Sequence, residues 1–512
     1  MLTWLILAPA LGAVIVMLLP KNRRELLLPV GFALSFLPLA ISIYLFIQFE
    51  TGVADYQFTQ RAVWYEPWGI SWNIGVDGIS LGLILLSTIL VPIALAASTS
   101  VTTQVKEFVM FTLLLEAGLI GSFLALDLFL FFVFFEAVLV PMYFIIGIWG
   151  SERRIYAAIK FFLFTAFGSA FLLASIVALS VLHNQQFGVP SFALQDLMGL
   201  DLTAGQARWL FAGFGIAFAI KVPVFPLHTW LPDAHVQAPT AGSVLLAGVK
   251  LKLGTYGLLL FNLNLFPQAT VDAVPLIATL AVIGIIYGAV VAIVQPDLKK
   301  LVAYSSVSHL GFIVLGTVAL TSAGLQGAVI QNVNHGLTTG ALFLLVGMIY
   351  ERRHTKKIAD FGGLAKVMPI FAGLFLFSAF ASIGLPGLNG FVGEFLVLIG
   401  AFPSLPWFAA IAAFGVILAA IYLLWAYERV FTGEPDKPEN QKLIDLSPRE
   451  IALMVPLVVL MVLLGLYPKV LLDRTAPSTE ALLDRIEAAT TYEVPEPGRL
   501  ADVFAVSPEG EE

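Results

Sequence analysis

Apolar residues fill this chain in stretches of about twenty, parted by short polar joints, and the stretches recur from the first residues to about residue 470. A helix rising 1.5 Å per residue needs roughly 20 such residues to cross the hydrocarbon of a bilayer. The pattern predicts fourteen spanning helices, near 2–20, 27–48, 75–97, 107–125, 128–149, 158–182, 207–227, 240–262, 273–294, 300–320, 325–350, 369–399, 407–431 and 450–468. The 107–149 region reads either as one long hairpin or as two poorly separated helices. The first stretch is read as a retained span and not a signal peptide, because Lys21, Arg23 and Arg24 follow it instead of preceding it.

Composition supports the same class. Hydrophobic residues make up 59% of the 512 and charged residues 12%, about half the charged share of a soluble domain. The formal charge of -7 owes much to the final segment, where Glu493, Glu496, Asp502, Glu509, Glu511 and Glu512 face Arg499 alone. That segment is expected to be solvated and weakly ordered. Cysteine is absent, which excludes disulfides, thiolate-held iron–sulfur clusters and thiol catalysis on this polypeptide. No phosphate-cradling glycine loop is present either, so nucleotide and flavin sites belong elsewhere.

Cytoplasmic loops collect lysine and arginine. With the N-terminus outside, eighteen of the 27 basic residues fall on inside loops and their margins, and both termini face away from the cytoplasm. Arg61, Arg208, Lys469, Arg474, Arg485 and Arg499 fall outside; Lys221, Lys250 and Lys252 fall within spans.

A charge at a helix centre costs roughly 2.5–3.5 kcal/mol even on lenient insertion scales and marks function by default. Six are predicted to be buried: Glu116, Glu136, Lys221, Lys250, Lys252 and Glu394. Three acids and three bases cancel, as internal pairing requires. A lysine held between desolvation and a movable carboxylate changes protonation when that carboxylate moves. Glu116 stands near the loop before Asp127 and reads as a snorkelling or gating residue. Lys250 and Lys252 are about 200° apart on a helix, so only one faces a given pathway. His309 and His335 extend the polar row, and Gln331, His335 and Thr338 share a helical face. The competing reading is static glue between helices, which Ser, Thr and Asn provide at lower cost.

Pro223, Pro226 and Pro232 follow Lys221, whereas Gly384, Pro386, Gly387, Gly390 and Gly393 precede Glu394. Both spans are therefore expected to break near the membrane centre. Spans four to eight and nine to thirteen then form two five-helix units of inverted topology, each with its broken helix fourth, which is the arrangement of a transport site. The predicted organisation is 1–106 for the first three spans, 107–262 and 273–431 for the two repeats, 432–476 for a loop and the last span, and 477–512 for an acidic, flexible tail.

At these residues the chain resembles a known family, the proton-translocating antiporter-like subunits of complex I, shared with multi-subunit sodium/proton antiporters. "KVPVFPLHTWLPDAHVQAPTAGSVLLAGVKLKLGTYG", "FFVFFEAVLVPMYFIIGIWG", "SSVSHLGF", "NHGLTTGALFLLVGMIYER" and "GLPGLNGFVGEF" are most similar to the M-type, mitochondrial subunit four-like branch. The resemblance implies a switchable ion pair of Glu136 and Lys221, a central relay lysine at Lys252, relay histidines at His309 and His335, and a terminal acid at Glu394. Lys250 departs from the family's usual apolar residue, which leaves open which lysine lines the channel; it and Glu116 are taken as accessory.

The implied function is proton pumping coupled to NAD(P)H or ferredoxin:quinone oxidoreduction. NAD, FMN, iron–sulfur centres or ferredoxin, and quinone, sit on partner subunits; this chain carries no cofactor, metal or nucleic acid. Its expected partners are neighbouring antiporter-like membrane subunits, the lipid and the proton. The expected setting is a bacterial plasma membrane, with a thylakoid as the alternative. The rivals are a sodium/proton antiporter subunit, a non-conducting scaffold and a secondary solute carrier, the last lacking any recognisable substrate pocket.

Overall fold

A computed structural model describes residues 1–21 and 23–495. The chain is an all-α bundle, and eleven of its described helices are long and apolar enough to cross a membrane. In chain order the elements are α1 (Leu2–Leu18), α2 (Arg24–Gln48), the hairpin β1 (Gln57–Tyr65) and β2 (Ile70–Val76), α3 (Gly78–Ala96) and α4 (Val105–Leu124). Then come α5 (Leu128–Ala137), α6 (Leu139–Trp149), α7 (Arg154–Phe187), α8 (Ala204–Lys221) and α9 (Trp230–Gln237). The second half holds α10 (Thr240–Leu265), α11 (Pro267–Ile293), α12 (Leu298–Val318), α13 (Ser322–Arg353), α14 (Pro369–Ile383), α15 (Asn389–Ser404) and α16 (Pro406–Phe431). It closes with α17 (Pro448–Leu466) and α18 (Lys469–Ala489).

Each predicted span has its counterpart. The helices α5 and α6 form one span with a bend, because Pro141 has no amide to offer the carbonyl one turn back, at Ala137. The three counterparts outside the eleven are the 17-residue α1, the α8–α9 pair and the α14–α15 pair.

Two elements go beyond the pattern of spans. The β1–β2 hairpin caps one end of the bundle, where Asp127 accepts from the backbone and hydroxyl of Ser71, both at 2.9 Å, and from the first amides of α5. The second is α18, which corrects the expected tail over 477–489. Leu471, Leu482, Leu483 and Ile486 recur at helical spacing and are buried. A buried apolar stripe outweighs the acidic composition that suggested disorder. The acidic residues from Glu496 onward lie outside the described residues.

The joints sort into two ends as an even number of spans demands. At one end, Leu126 meets Asn73, Leu128 meets Phe192, Ser404 meets Ala319, and Arg485 bonds the carbonyls of Asn264 and Met198. At the other, Ser151 meets Gln237, Leu298 meets Lys356, Lys106 meets Leu19, and Arg353 meets Asn440. This second end carries most of the basic loop residues.

There Arg352 makes a two-pronged pair with Glu450, both contacts at 2.7 Å, tying α13 to α17. Replacing Arg352 with methionine leaves a carboxylate that is 8% exposed with only the Ser447 amide and hydroxyl as donors, and charged hydrogen bonds of the kind lost contribute about 1.5–3 kcal/mol. Thermal release of the subunit from its detergent-solubilised assembly should therefore move to lower temperature; an unchanged midpoint would refute this.

Candidate functional site

Lys221 is the last residue of α8, where Pro223 and Pro226 halt the helix, and the chain resumes helical form at α9. Its side chain is buried, and the ammonium lies 3.8 Å from the centre of the Phe135 ring with no hydrogen-bond partner among the described residues. Glu136, the next residue after Phe135, lies in the last turn of α5 at the bend. It is only half-buried, unlike the other five charges, and accepts a hydrogen bond from Ser169 of α7. Glu136 and Lys221 thus flank the same residue, Phe135, one along the chain and the other across its ring. Among the described residues no ion pair joins them, because Ser169 holds the carboxylate while the Phe135 face holds the ammonium.

The second break is built from glycine. The helix α14 ends at Gly384, with φ of 86°, and α15 starts at Asn389, bringing Glu394 into the interior within its second turn. Here α15 presses against α13 without room for side chains: a Cβ on Gly393 stands 2.1 Å from Gln331, and one on Gly400 stands 2.1 Å from the Gly324 amide. Small residues permit such close helix approach in a bilayer.

Between the breaks runs α10, whose turn widens at 246–250, the Leu251 amide bonding the Leu246 carbonyl five residues back at 3.3 Å. Widened turns of this type leave carbonyls free of the usual ladder and often mark functional sites. Lys252 takes one of them, bonding the Ala247 oxygen at 2.5 Å, and also reaches Nδ1 of His335 at 2.7 Å. Gly248 and Gly336 face each other at this crossing, a Cβ on Gly336 falling 2.7 Å from the Gly248 carbonyl. Lys250 points elsewhere, 3.6 Å from the Phe161 ring centre.

The row continues from Lys252. His335 and His309 have ring centres 5.9 Å apart. His309 Nδ1 lies 2.6 Å from Glu394 Oε1, and its Nε2 meets the hydroxyls of Tyr422 at 3.1 Å and Ser382 at 3.2 Å. Gln331 donates to the same carboxylate oxygen at 3.1 Å. Lys252, His335, His309 and Glu394 are each at most 3% exposed. A buried sequence of amine, imidazole, imidazole and carboxylate is a set of alternating proton donors and acceptors. With Nδ1–H of His309 donating to the carboxylate, its Nε2 accepts from the hydroxyls; a second proton on Nε2 reverses those hydroxyl bonds.

Two other sequence-singled residues lie apart. The hydroxyl of Thr338 bonds the Asn334 carbonyl of its own helix and leaves the row. Glu116 is fully buried on α4, with no hydrogen-bond partner for either oxygen among the described residues; it therefore does not snorkel. Ser169, Ser382 and Tyr422 escaped the sequence reading, since single hydroxyls in apolar helices carry no pattern; only the fold brings them to the charges.

Residues 125–421 match the family described as NADH:quinone oxidoreductase/Mrp antiporter, TM. The chain belongs to this family. Within the NADH:quinone oxidoreductase/Mrp antiporter family it is 45% identical to NADH-quinone oxidoreductase subunit M of Rhodobacter capsulatus over 455 residues, 88% of each chain. It is 42% identical to NADH-ubiquinone oxidoreductase chain 4 of Arabidopsis thaliana over 474 residues, 92% of this chain and 94% of that one. Its fold overlays a chain of respiratory complex I from Thermus thermophilus with bound NADH at a TM-score of 0.87 and 34% identity, covering 95% of this chain and all of the other.

Proposed function

We propose that this chain is a proton-translocating membrane subunit of a complex I-type NADH:quinone oxidoreductase. Electron transfer takes place on partner subunits, which hold the nicotinamide, flavin, iron–sulfur and quinone sites. The observation that carries the reading is the buried row Lys252, His335, His309, Glu394, in contact or near contact from the middle of the bundle to the second broken helix. Relatives named as oxidoreductase subunits favour this over a sodium/proton antiporter role.

In the proposed cycle a signal from the redox arm moves Glu136 relative to Lys221. The lysine changes its hold on a proton, which passes to Lys252. From Lys252 the proton goes to Nδ1 of His335, crosses to His309 through a water between the rings, and leaves by Glu394. The end rich in lysine and arginine faces the cytoplasm, both chain ends face the other side, and neighbouring antiporter-like subunits flank the bundle. The host membrane is a bacterial plasma membrane.

Lys221→Ala tests the cycle. In the purified complex reconstituted into vesicles, the variant is expected to assemble and to lose about threefold or more of its proton uptake per quinone reduced, as loss of one positioned proton carrier implies. A scaffold role predicts instead that the complex fails to assemble, or that it assembles and pumps normally.

A further inference from the structure

Lys250 takes no part in the row above, yet it is fully buried, and among the described residues its amine has no hydrogen-bond partner. The cation–π contact with the Phe161 ring, 3.6 Å from its centre, does not by itself offset the burial of a permanent charge. Its surroundings connect it to the first half. The Phe161 carbonyl accepts from Thr165 at 2.8 Å, the Thr165 carbonyl lies 3.0 Å from the Ser169 hydroxyl, and Ser169 bonds Glu136. On the other side, Phe161 packs on Trp230 with ring centres 5.4 Å apart, and the Trp230 indole donates to the Ile220 carbonyl, next to Lys221. Through these contacts Lys250 is linked on one side to the serine that holds Glu136 and on the other to the residue beside Lys221.

The other titratable groups near this turn are few. The helix α3 and the start of α10 bring none. From α13 comes His335, engaged by Lys252; from α9 comes His235, stacked on Phe343 at 4.6 Å; and α4, which packs beside Lys252, carries Glu116. The first half thus has two buried lysines and one nearby carboxylate in an apolar interior, where two like charges disfavour each other, so that one amine is charged while the other is neutral.

We propose that Lys250 is a second proton carrier of the first half and takes the proton that Lys221 gives up. One N–H bond breaks at the Lys221 ammonium and one forms at the neutral amine of Lys250, so the summed charge of the two lysines is unchanged. Lys250 then stands two residues from Lys252 on the same helix, at the junction of the first pair and the buried row. The inference rests on the conduction reading above and adds a residue to it.

The test uses the complete complex in vesicles, with Lys250→Met, Lys250→Arg and Lys252→Met compared for protons moved per quinone reduced and for the pH profile of coupled turnover. Lys250→Met is expected to assemble, to lose about threefold or more of the pumping, and to show a displaced pH profile. Lys250→Arg keeps the charge and the ring contact but cannot release a proton, so it should be impaired as well. Wild-type pumping and pH profile in Lys250→Met, or full rescue by arginine, overturns the proposal. Should the methionine variant fail to assemble, the arginine variant decides in the same way. Normal pumping in Lys252→Met overturns the conduction reading itself, whereas a silent Lys250→Met beside a defective Lys252→Met overturns only the role of Lys250.

Discussion

Replacing Lys252 with methionine should lower proton translocation by at least about tenfold while the complex still assembles, a loss that stays below the roughly hundredfold or more a positioned proton-transfer group contributes. Methionine fills nearly the same volume, so the interior keeps its packing. What is lost is the only group in contact with both the freed Ala247 carbonyl and Nδ1 of His335. Leaving those two acceptors unsatisfied costs roughly 1–3 kcal/mol each, which a fourteen-span bundle in its assembly tolerates. The measurement is vesicle acidification during quinone reduction, with an uncoupler added to show that electron transfer itself still runs. A normal ratio of protons to electrons would show that Lys252 is not on the path.

Glu394→Gln should be nearly as severe for a different reason. Glutamine has the shape of glutamate, its carbonyl oxygen can still accept from His309 Nδ1, and the fit against the glycine-lined face of α13 is undisturbed. Only the capacity to bind and release a proton disappears. Proton translocation is expected to fall by at least about tenfold, and Glu394→Asp, which restores an acid on a shorter arm, should recover part of it. Equal pumping by the glutamine variant and the wild type would place the exit elsewhere.

The bundle was legible in the sequence because its spans are long apolar runs and its breaks are proline or glycine clusters beside a charge. The positions of Lys221 before Pro223, and of Glu394 after Gly384, emerge directly from that pattern. The spacing of Lys250 and Lys252 showed that they diverge, but not which one meets the histidines. That choice depends on a widened turn at 246–250 and a glycine crossing at Gly248 and Gly336, neither of which a hydropathy pattern encodes. The state of the Glu136–Lys221 pair was equally hidden, since Ser169 comes from a helix more than thirty residues away. The last helix, α18, was masked by its charge: Leu471, Leu482 and Ile486 recur at helical spacing, yet acidic neighbours dominate the composition.

That last helix constrains how the molecule can work. It begins beside α3, where Ser478 meets the Gly78 amide at 3.1 Å, and passes on until Arg485 fastens the ends of the α7–α8 joint and of α10. On the opposite end, Lys299 and Lys356 grip the Ala238 and Val236 carbonyls at 2.5 and 2.8 Å, lashing the second half to the joint after α9. Carriers that alternately expose a central site need one half to swing against the other; in this chain such a swing would have to break the ties at both ends of the bundle at once.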